Sequence, residues 1–225
     1  MLNVRTRNSP RLSHKIILLM GLLLFQHFNA KAENIWRYRF FQAANLTGNV
    51  EQSTYKQGND EYEMDTGVSK NNGLMVIRND LGLGYHTFST EIDDSKGKTG
   101  AVEPTVYKLD AKFYEIAYLT ETASNSSITL GAGIATEGSG EIKYIYASDS
   151  LKSNDVTGFT GFIQIGLEYS LPVNLGFLNM KFSEFMLGYR TTYLEYKNYS
   201  NGSTKLSKSQ MVNSSYFDFG LGFVF

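Results

Sequence analysis

The sequence predicts an all-β fold of eight antiparallel strands joined in series. Three observations lead to this prediction. Segments in which apolar and polar side chains alternate recur along the chain, as expected where successive side chains point to opposite faces of a sheet. The connections between these segments alternate between short and long. After residue 32, no uncharged apolar run is long enough to form a helix that crosses a membrane.

The first 32 residues have the pattern of a cleaved secretory signal peptide. Basic residues precede an apolar run from Ile16 to Phe25, and Ala30-Lys31-Ala32 follows it as an A-x-A cleavage site. The apolar run is shorter than the roughly 20 residues that a spanning helix needs. We predict cleavage after Ala32 and one domain over residues 33–225. The chain contains no cysteine, which excludes a lipid-modified N-terminal cysteine and disulfides.

The first four predicted strands differ in the residues that alternate. In the first, aromatic side chains alternate with arginines, and in the third, leucines alternate with glycines. The second strand has the least regular alternation, and Arg78-Asn79-Asp80 after it is typical of a tight turn. These strands are predicted over residues 36–46, 67–77, 81–91 and 105–120.

The last four predicted strands include the most regular patterns. The sixth strand alternates aliphatic and aromatic residues with glycine and polar residues, and the eighth places apolar residues at every odd position from Phe217 to Phe225. Ile142, Tyr144 and Tyr146 indicate that strand pairing continues into the loop after the fifth strand. These strands are predicted over residues 127–137, 157–171, 181–197 and 214–225.

The connections fall into two classes of different length. The longer and more polar connections cover residues 47–65, 92–104, 138–156 and 198–210. The shorter ones cover residues 78–80, 121–126 and 172–180. Because consecutive antiparallel strands turn at alternate ends, all the short turns lie at one end of the predicted sheet and all the long loops at the other.

The C-terminus resembles the closing strand of a bacterial outer-membrane β-barrel. It ends in an aromatic residue, and the spacing of Asp218, Gly220, Phe223 and Phe225 is similar to the assembly signal of that class. Short turns at one rim and long loops at the other are also how such barrels are built. The chain after the leader therefore resembles small eight-stranded barrels of the OmpA, OmpX and OmpW kind. An ordinary C-terminal strand of a soluble sandwich, or a lipocalin-like barrel with its apolar face inward, is the alternative.

The resemblance implies a transmembrane up-and-down β-barrel in the outer membrane, reached by export through the periplasm. Both termini are then expected at the periplasmic rim. The implied partners are outer-membrane lipids, including lipopolysaccharide, and the barrel-assembly machinery, and the expected state is a monomer. Nucleic acid is not an expected partner, because the chain without its basic leader is acidic.

The fourth strand predicts which faces point to lipid. With odd residues outward, Glu115 would lie near mid-bilayer, where a carboxylate is costly. With even residues outward, apolar side chains such as Ile116 face lipid and Lys112 lies near the outer interface, where it can snorkel. We therefore predict that even residues face outward here. The lumen then collects a network of charges that must pair with one another: Arg37, Arg39, Glu115, Glu168, Glu184, Arg190 and Asp218.

Arg190 and Asp218 are predicted to form an ion pair in this lumen. They lie on neighbouring antiparallel strands, both face inward, and both stand seven residues from the periplasmic rim. A structural network that fills the barrel and a narrow conducting path are both compatible with these charges.

Few residues of the chain could support metal binding or catalysis. His86 is the one histidine after the leader, which argues against a metal site, and its neighbours form no nucleophile motif. We predict no cofactor and no enzymatic activity. Eight strands leave an interior just wide enough for side chains, which excludes a wide pore. The expected role is structural or in surface interaction. The alternatives are a narrow OmpW-like channel for small, apolar molecules and a lipid-modifying enzyme.

Overall fold

A computed structural model describes residues 35–44, 52–57, 60–63, 68–94, 105–123, 125–144, 150–169, 182–201 and 208–225. The predicted signal peptide lies outside the described residues and stays a prediction. Among the residues described, no helix is long and apolar enough to cross a membrane.

The described residues form eleven strands. They are β1 (Trp36–Ala44), β2 (Gln52–Gln57), β3 (Asp60–Glu63), β4 (Val68–Arg78), β5 (Leu81–Asp94), β6 (Thr105–Ala123), β7 (Ser126–Tyr144), β8 (Ser150–Ser153), β9 (Asp155–Tyr169), β10 (Phe182–Lys197) and β11 (Lys208–Val224).

Eight of these strands close into an antiparallel barrel. The order around the barrel is β1, β4, β5, β6, β7, β9, β10 and β11, and β11 pairs back with β1. That last pairing runs from Arg37 opposite Val224 to Ala44 opposite Phe217. The predicted eight-stranded, up-and-down, all-β barrel is confirmed, with strand ends shifted by a few residues.

Two of the predicted loops contain strands. Residues 47–65 were expected to lack regular structure, but β2 and β3 form a hairpin there, and β2 pairs with the start of β11. β1 ends at Ala44, so the longer β11 would otherwise leave an unpaired edge, and β2 supplies the missing backbone partners. In the predicted loop 138–156, β7 continues to Tyr144 and β8 pairs with it.

The rim where β1 begins and β11 ends is fastened by backbone hydrogen bonds. The Trp36 amide donates to the Phe225 carbonyl at 3.2 Å, and the Phe225 amide donates to the Trp36 carbonyl at 2.8 Å. Asn79, in the turn between β4 and β5, has a positive φ of 56°, a conformation that asparagine tolerates better than most residues. Its amide donates to the Ile35 carbonyl at 2.8 Å, so this turn is tied to the start of β1.

The face of the strands that carries the apolar side chains changes from outside to inside partway along the barrel. Near the rim with the short turns, apolar residues face outward: Tyr114, Ile116 and Tyr118 of β6 are 50%, 45% and 53% exposed, while Glu115 is 2% exposed. Further along the same strand, Leu109 faces inward and Asp110 outward. We call the part with apolar residues outside the lower tier and the part with apolar residues inside the upper tier.

The upper tier has an apolar interior and a polar exterior, the arrangement found in soluble proteins. Its inward side chains form one buried apolar cluster, the upper cluster: Phe88, Ile92, Tyr107, Leu109, Ala111, Phe113, Ile142, Leu151, Leu194, Tyr196, Tyr199 and Val212. Its outward side chains include paired charges such as Lys108 with Glu91 and Lys112 with Glu137. The lower tier instead encloses charged side chains and a smaller apolar cluster: Phe41, Met75, Ile77, Ala117, Leu119 and Phe162.

Candidate functional site

The lumen of the lower tier holds a network of buried ion pairs. All seven residues that the sequence analysis places there point inward. They come from five different strands, so the network can form only when the barrel is closed. It divides into a group around Arg37 and Arg39, close to the rim with the short turns, and a group around Arg190, farther inside.

Arg39 is fully buried and binds Glu184 through two hydrogen bonds. Its Nε donates to Glu184 Oε2 at 2.8 Å and its Nη2 donates to Oε1 at 2.5 Å. Arg39 also donates to Thr129 Oγ1 at 2.6 Å and to Ser127 Oγ at 3.1 Å. This is the bidentate geometry in which arginine and carboxylate bind most strongly. The arrangement links β1, β7 and β10 across the lumen.

Arg37 extends the same group towards the rim. One guanidinium nitrogen donates to Glu168, and the other donates to Glu121 at 2.9 Å. The Glu121 side chain is 60% exposed, so this end of the network reaches the surface at the rim with the short turns. Glu121 was not among the predicted lumen charges, because residues 121–126 were expected to form the turn and β6 in fact continues to Ala123.

Arg190 is the centre of the second group. Its Nε lies 2.9 Å from Asp218 Oδ2, and its Nη1 donates to Glu115. The guanidinium also lies over the rings of Phe41 and Phe162, whose centroids are 4.8 and 4.3 Å from its central carbon. Cation–π contacts of this kind gain strength when water is excluded.

The register between β10 and β11 shows how Arg190 reaches Asp218. Arg190 lies opposite Tyr216, and Asp218 lies opposite Gly188, so the two charged residues are diagonal neighbours two positions apart. Long side chains span such a diagonal. Gln164 of β9 adds a hydrogen bond to the same carboxylate, from Nε2 to Oδ2 at 3.1 Å.

His86 joins the second group through Glu115. Its Nδ1 lies 2.7 Å from Glu115 Oε1, and its ring stacks on Phe113 with centroids 4.4 Å apart and planes at 7°. The imidazole is completely buried. The parity of β5 places His86 inside, but its contact with Glu115 depends on the register of β5 against β6, which the sequence does not reveal.

Glycines on the inner face make room for the buried carboxylates. A methyl group on Gly166 would overlap the Glu184 carboxylate, and one on Gly222 would lie 2.9 Å from its Oε2. Glu115 is enclosed in the same way: a methyl group on Gly84 would lie 3.0 Å from Oε2, and one on Gly133 would lie 2.8 Å from Cγ. The alternating glycines could be read from the sequence, but not the position of the Glu184 and Glu115 side chains across them.

A polar layer separates the ion pairs from the upper cluster. The Tyr216 hydroxyl donates to Asn71 Oδ1 at 3.1 Å and lies 3.0 Å from the Thr192 hydroxyl. Above this layer the upper cluster fills the lumen, and the Tyr196 hydroxyl donates to the Asp110 carbonyl at 3.0 Å. Among the described residues, no group of three or more acidic or histidine side chains could hold a metal ion.

The outer face of the lower tier decides the class of protein. Exposed leucine, isoleucine and aromatic side chains cover it on all eight barrel strands, while charges of both signs lie inside. On β11 this apolar band runs from Phe217 to Phe225, which corresponds to ~20 Å along the barrel axis for tilted strands. Such an exterior is unfavourable in water and suits the hydrocarbon of a bilayer. The chain is a transmembrane β-barrel of the outer-membrane type.

The residues of the predicted assembly signal lie on both faces of this barrel. Asp218 points into the lumen, whereas Phe223 and Phe225 lie outside, at the β1–β11 seam. A methyl group on Gly220 would lie 2.6 Å from the Met186 methyl, so the glycine allows close packing with β10. Recognition of this strand by an assembly machinery stays a prediction.

Solved structures of small outer-membrane barrels are similar to this chain. Neisserial surface protein A has 15% identity and a TM-score of 0.42, with 85% of this chain and 99% of that chain covered. Ail, the attachment invasion locus protein of Yersinia pestis, has 13% identity and a TM-score of 0.41, with 86% and 99% covered. OprG from Pseudomonas aeruginosa has 13% identity and a TM-score of 0.40, with 85% and 95% covered. At these values the similarity concerns the fold alone.

No protein-family model matches the sequence. No curated protein is significantly similar to it.

Proposed function

We propose that this chain is a sealed, monomeric outer-membrane barrel whose role is structural or in surface interaction. Export through the periplasm and insertion by the barrel-assembly machinery precede this role, and lipopolysaccharide surrounds the outer part of the barrel. The observation that carries the proposal is the filling of the lumen from the periplasmic rim to the upper tier.

Three successive layers support a sealed lumen. The ion pairs of Arg39 and Arg190 lie lowest, the hydroxyl layer of Tyr216 lies above them, and the upper cluster comes last. Arg39 and Arg190 are both completely buried. Ions would have to displace paired charges and then cross an apolar region, and both steps are costly.

The upper tier supports a role at the cell surface. Its strands continue beyond the apolar band with charged residues outside, so this part projects from the membrane on a rigid, packed core. A projecting β-structure of this kind offers a preformed surface, which avoids the entropic cost of ordering loops upon binding.

Planar-bilayer recording tests the sealed lumen. Reconstituted protein is expected to give no stepwise conductance above the bare bilayer. Insertion is verified on the same sample by labelling a cysteine placed at Ser150, since the natural chain contains none. Reproducible conductance steps from fully inserted protein would contradict the proposal.

A narrow channel for small apolar molecules is the second candidate, and the apolar lining of the upper tier favours it. It requires the upper cluster to open sideways above the ion pairs. Uptake of a small hydrocarbon into vesicles distinguishes the two functions: a sealed barrel gives the rate of protein-free vesicles, whereas a channel gives a higher rate that filling substitutions in the upper cluster reduce.

Catalysis is not part of the proposed function. His86 is held between Phe113 and Glu115 without contact to solvent, and a substrate would have to enter the filled lumen to reach it. The mass spectrum of lipid A from cells with and without the protein should therefore be the same. A protein-dependent change in lipid A acylation would support the lipid-modifying alternative instead.

A further inference from the structure

We propose that a groove on the outside of the β1–β11 seam binds one phospholipid with an anionic headgroup. The acyl chain lies against aromatic side chains of the two strands, and the phosphate lies beside Arg78. The proposal depends on the membrane position of the barrel and is independent of the role of the lumen.

The groove is an aromatic depression of about 510 Å³. Two edge-on ring contacts bridge the seam: Tyr38 with Phe225, at 5.6 Å between centroids, and Phe40 with Phe223, at 6.5 Å. The lining residues are Trp36, Tyr38, Phe40, Phe223 and Phe225. All five are apolar or amphipathic rings on the lipid-facing side, so the groove accepts hydrocarbon and not a hydrated ligand.

A cation stands at the end of the groove nearest the periplasmic rim. Arg78 lies opposite Trp36 in the register of β1 and β4, and its guanidinium carbon is 5.2 Å from the centroid of the indole ring. The neighbouring turn is tied to β1, because the Ile35 amide donates to Asn79 Oδ1 at 3.1 Å. The positive charge therefore has a fixed position relative to the aromatic rings.

The position of the groove in the membrane indicates which kind of molecule binds there. Its rings belong to the apolar band, so they face hydrocarbon, while Arg78 lies at the height where lipid headgroups begin. An acyl chain joined to a headgroup with a net negative charge matches both parts, because the chain lies against the rings and the negative charge lies beside the guanidinium. Aromatic and basic residues at a membrane interface are in general the side chains that contact headgroups.

Quenching of tryptophan fluorescence measures this binding directly, because Trp36 is the single tryptophan of the chain. The protein is placed in vesicles of unlabelled phosphatidylcholine that contain a small fraction of brominated phosphatidylglycerol or brominated phosphatidylcholine. Quenching should require about five-fold less of the anionic lipid, the preference expected from one basic side chain at the membrane surface. In Arg78→Gln this preference should disappear, with unchanged far-ultraviolet circular dichroism.

A control reports on lipid elsewhere around the barrel. Tyr169 is exposed at the same rim, on β9. Tyr169→Trp in a Trp36→Phe background should be quenched equally by the two brominated lipids. Equal quenching of Trp36 by both lipids in the natural chain would overturn the proposal, as would a preference that survives in Arg78→Gln. Loss of quenching with rising protein density would also overturn it, since a second copy would then cover the groove.

Discussion

Replacing Arg190 with methionine should destabilise the barrel more than replacing Asp218 with asparagine. Arg190 binds two carboxylates, those of Asp218 and Glu115, and all three side chains are buried. Arg190→Met therefore leaves two carboxylates without their cation. Asp218→Asn leaves Arg190 paired with Glu115 and removes only one of its contacts.

The expected losses follow from the energetics of buried ion pairs. Breaking a buried pair by removing one partner costs about 3–5 kcal/mol, and Arg190→Met should cost at least this much. Asp218→Asn should cost about 1–3 kcal/mol, since a hydrogen bond to Gln164 can be kept. With a urea dependence of about 2 kcal/mol per molar, the first change lowers the unfolding midpoint by about 1.5 M or more.

The assay is equilibrium unfolding in urea with the protein in lipid vesicles, followed by fluorescence. The double variant should lose less than the sum of the single variants, because it removes both members of one pair. The exposed pair Lys112–Glu137 is a matched control, and Lys112→Met should leave the midpoint unchanged. Strictly additive losses for Arg190 and Asp218 would refute an energetic coupling between them.

Three further predictions concern packing, assembly and topology. Gly166→Ala should lower the urea midpoint, because its methyl group overlaps a buried carboxylate, whereas Gly161→Ala on the same strand should not, since a Cβ there meets no atom within 4 Å. Deletion of Phe225 should leave the protein in the periplasm or degraded, as fractionation and immunoblotting would show, and undiminished insertion would argue against the assembly signal. A cysteine at Ser150 should react with an impermeant thiol reagent on intact cells and one at Asn79 should not, and the reverse labelling would invert the topology.

The strands and their faces could be predicted because they follow from a period of two residues. Once Glu115 is assigned to the lumen, the parity of β6 places Tyr114 and Ile116 outside, as the structure shows. The predicted pair of Arg190 and Asp218 needs only the height of each residue above the rim, which strand lengths supply. The prediction placed the two residues at the same height, and the structure offsets them by two positions. Such inferences depend on one strand or on one hairpin and not on the whole barrel.

The features that the sequence did not reveal depend on contacts across the barrel. The second carboxylate on Arg190 comes from Glu115, 75 residues away in sequence. The change from apolar residues outside in the lower tier to apolar residues inside in the upper tier was missed. Apolar and polar residues alternate with a period of two in both tiers, and this period does not show which of the two sets points into the barrel. β2 was missed because its formation depends on the free edge that β11 presents above Ala44 and not on its own polar composition.

The ion pairs in the lumen also impose an order on the completion of the barrel. The arginines of the first strand find their carboxylates far along the chain: Arg37 is 131 residues from Glu168, and Arg39 is 145 residues from Glu184. A sheet that lacks β1 therefore leaves Glu184 without the arginine that binds it in the closed barrel. We expect an incomplete barrel to keep these charges hydrated, and the closed barrel, in which they are paired and buried, to open slowly.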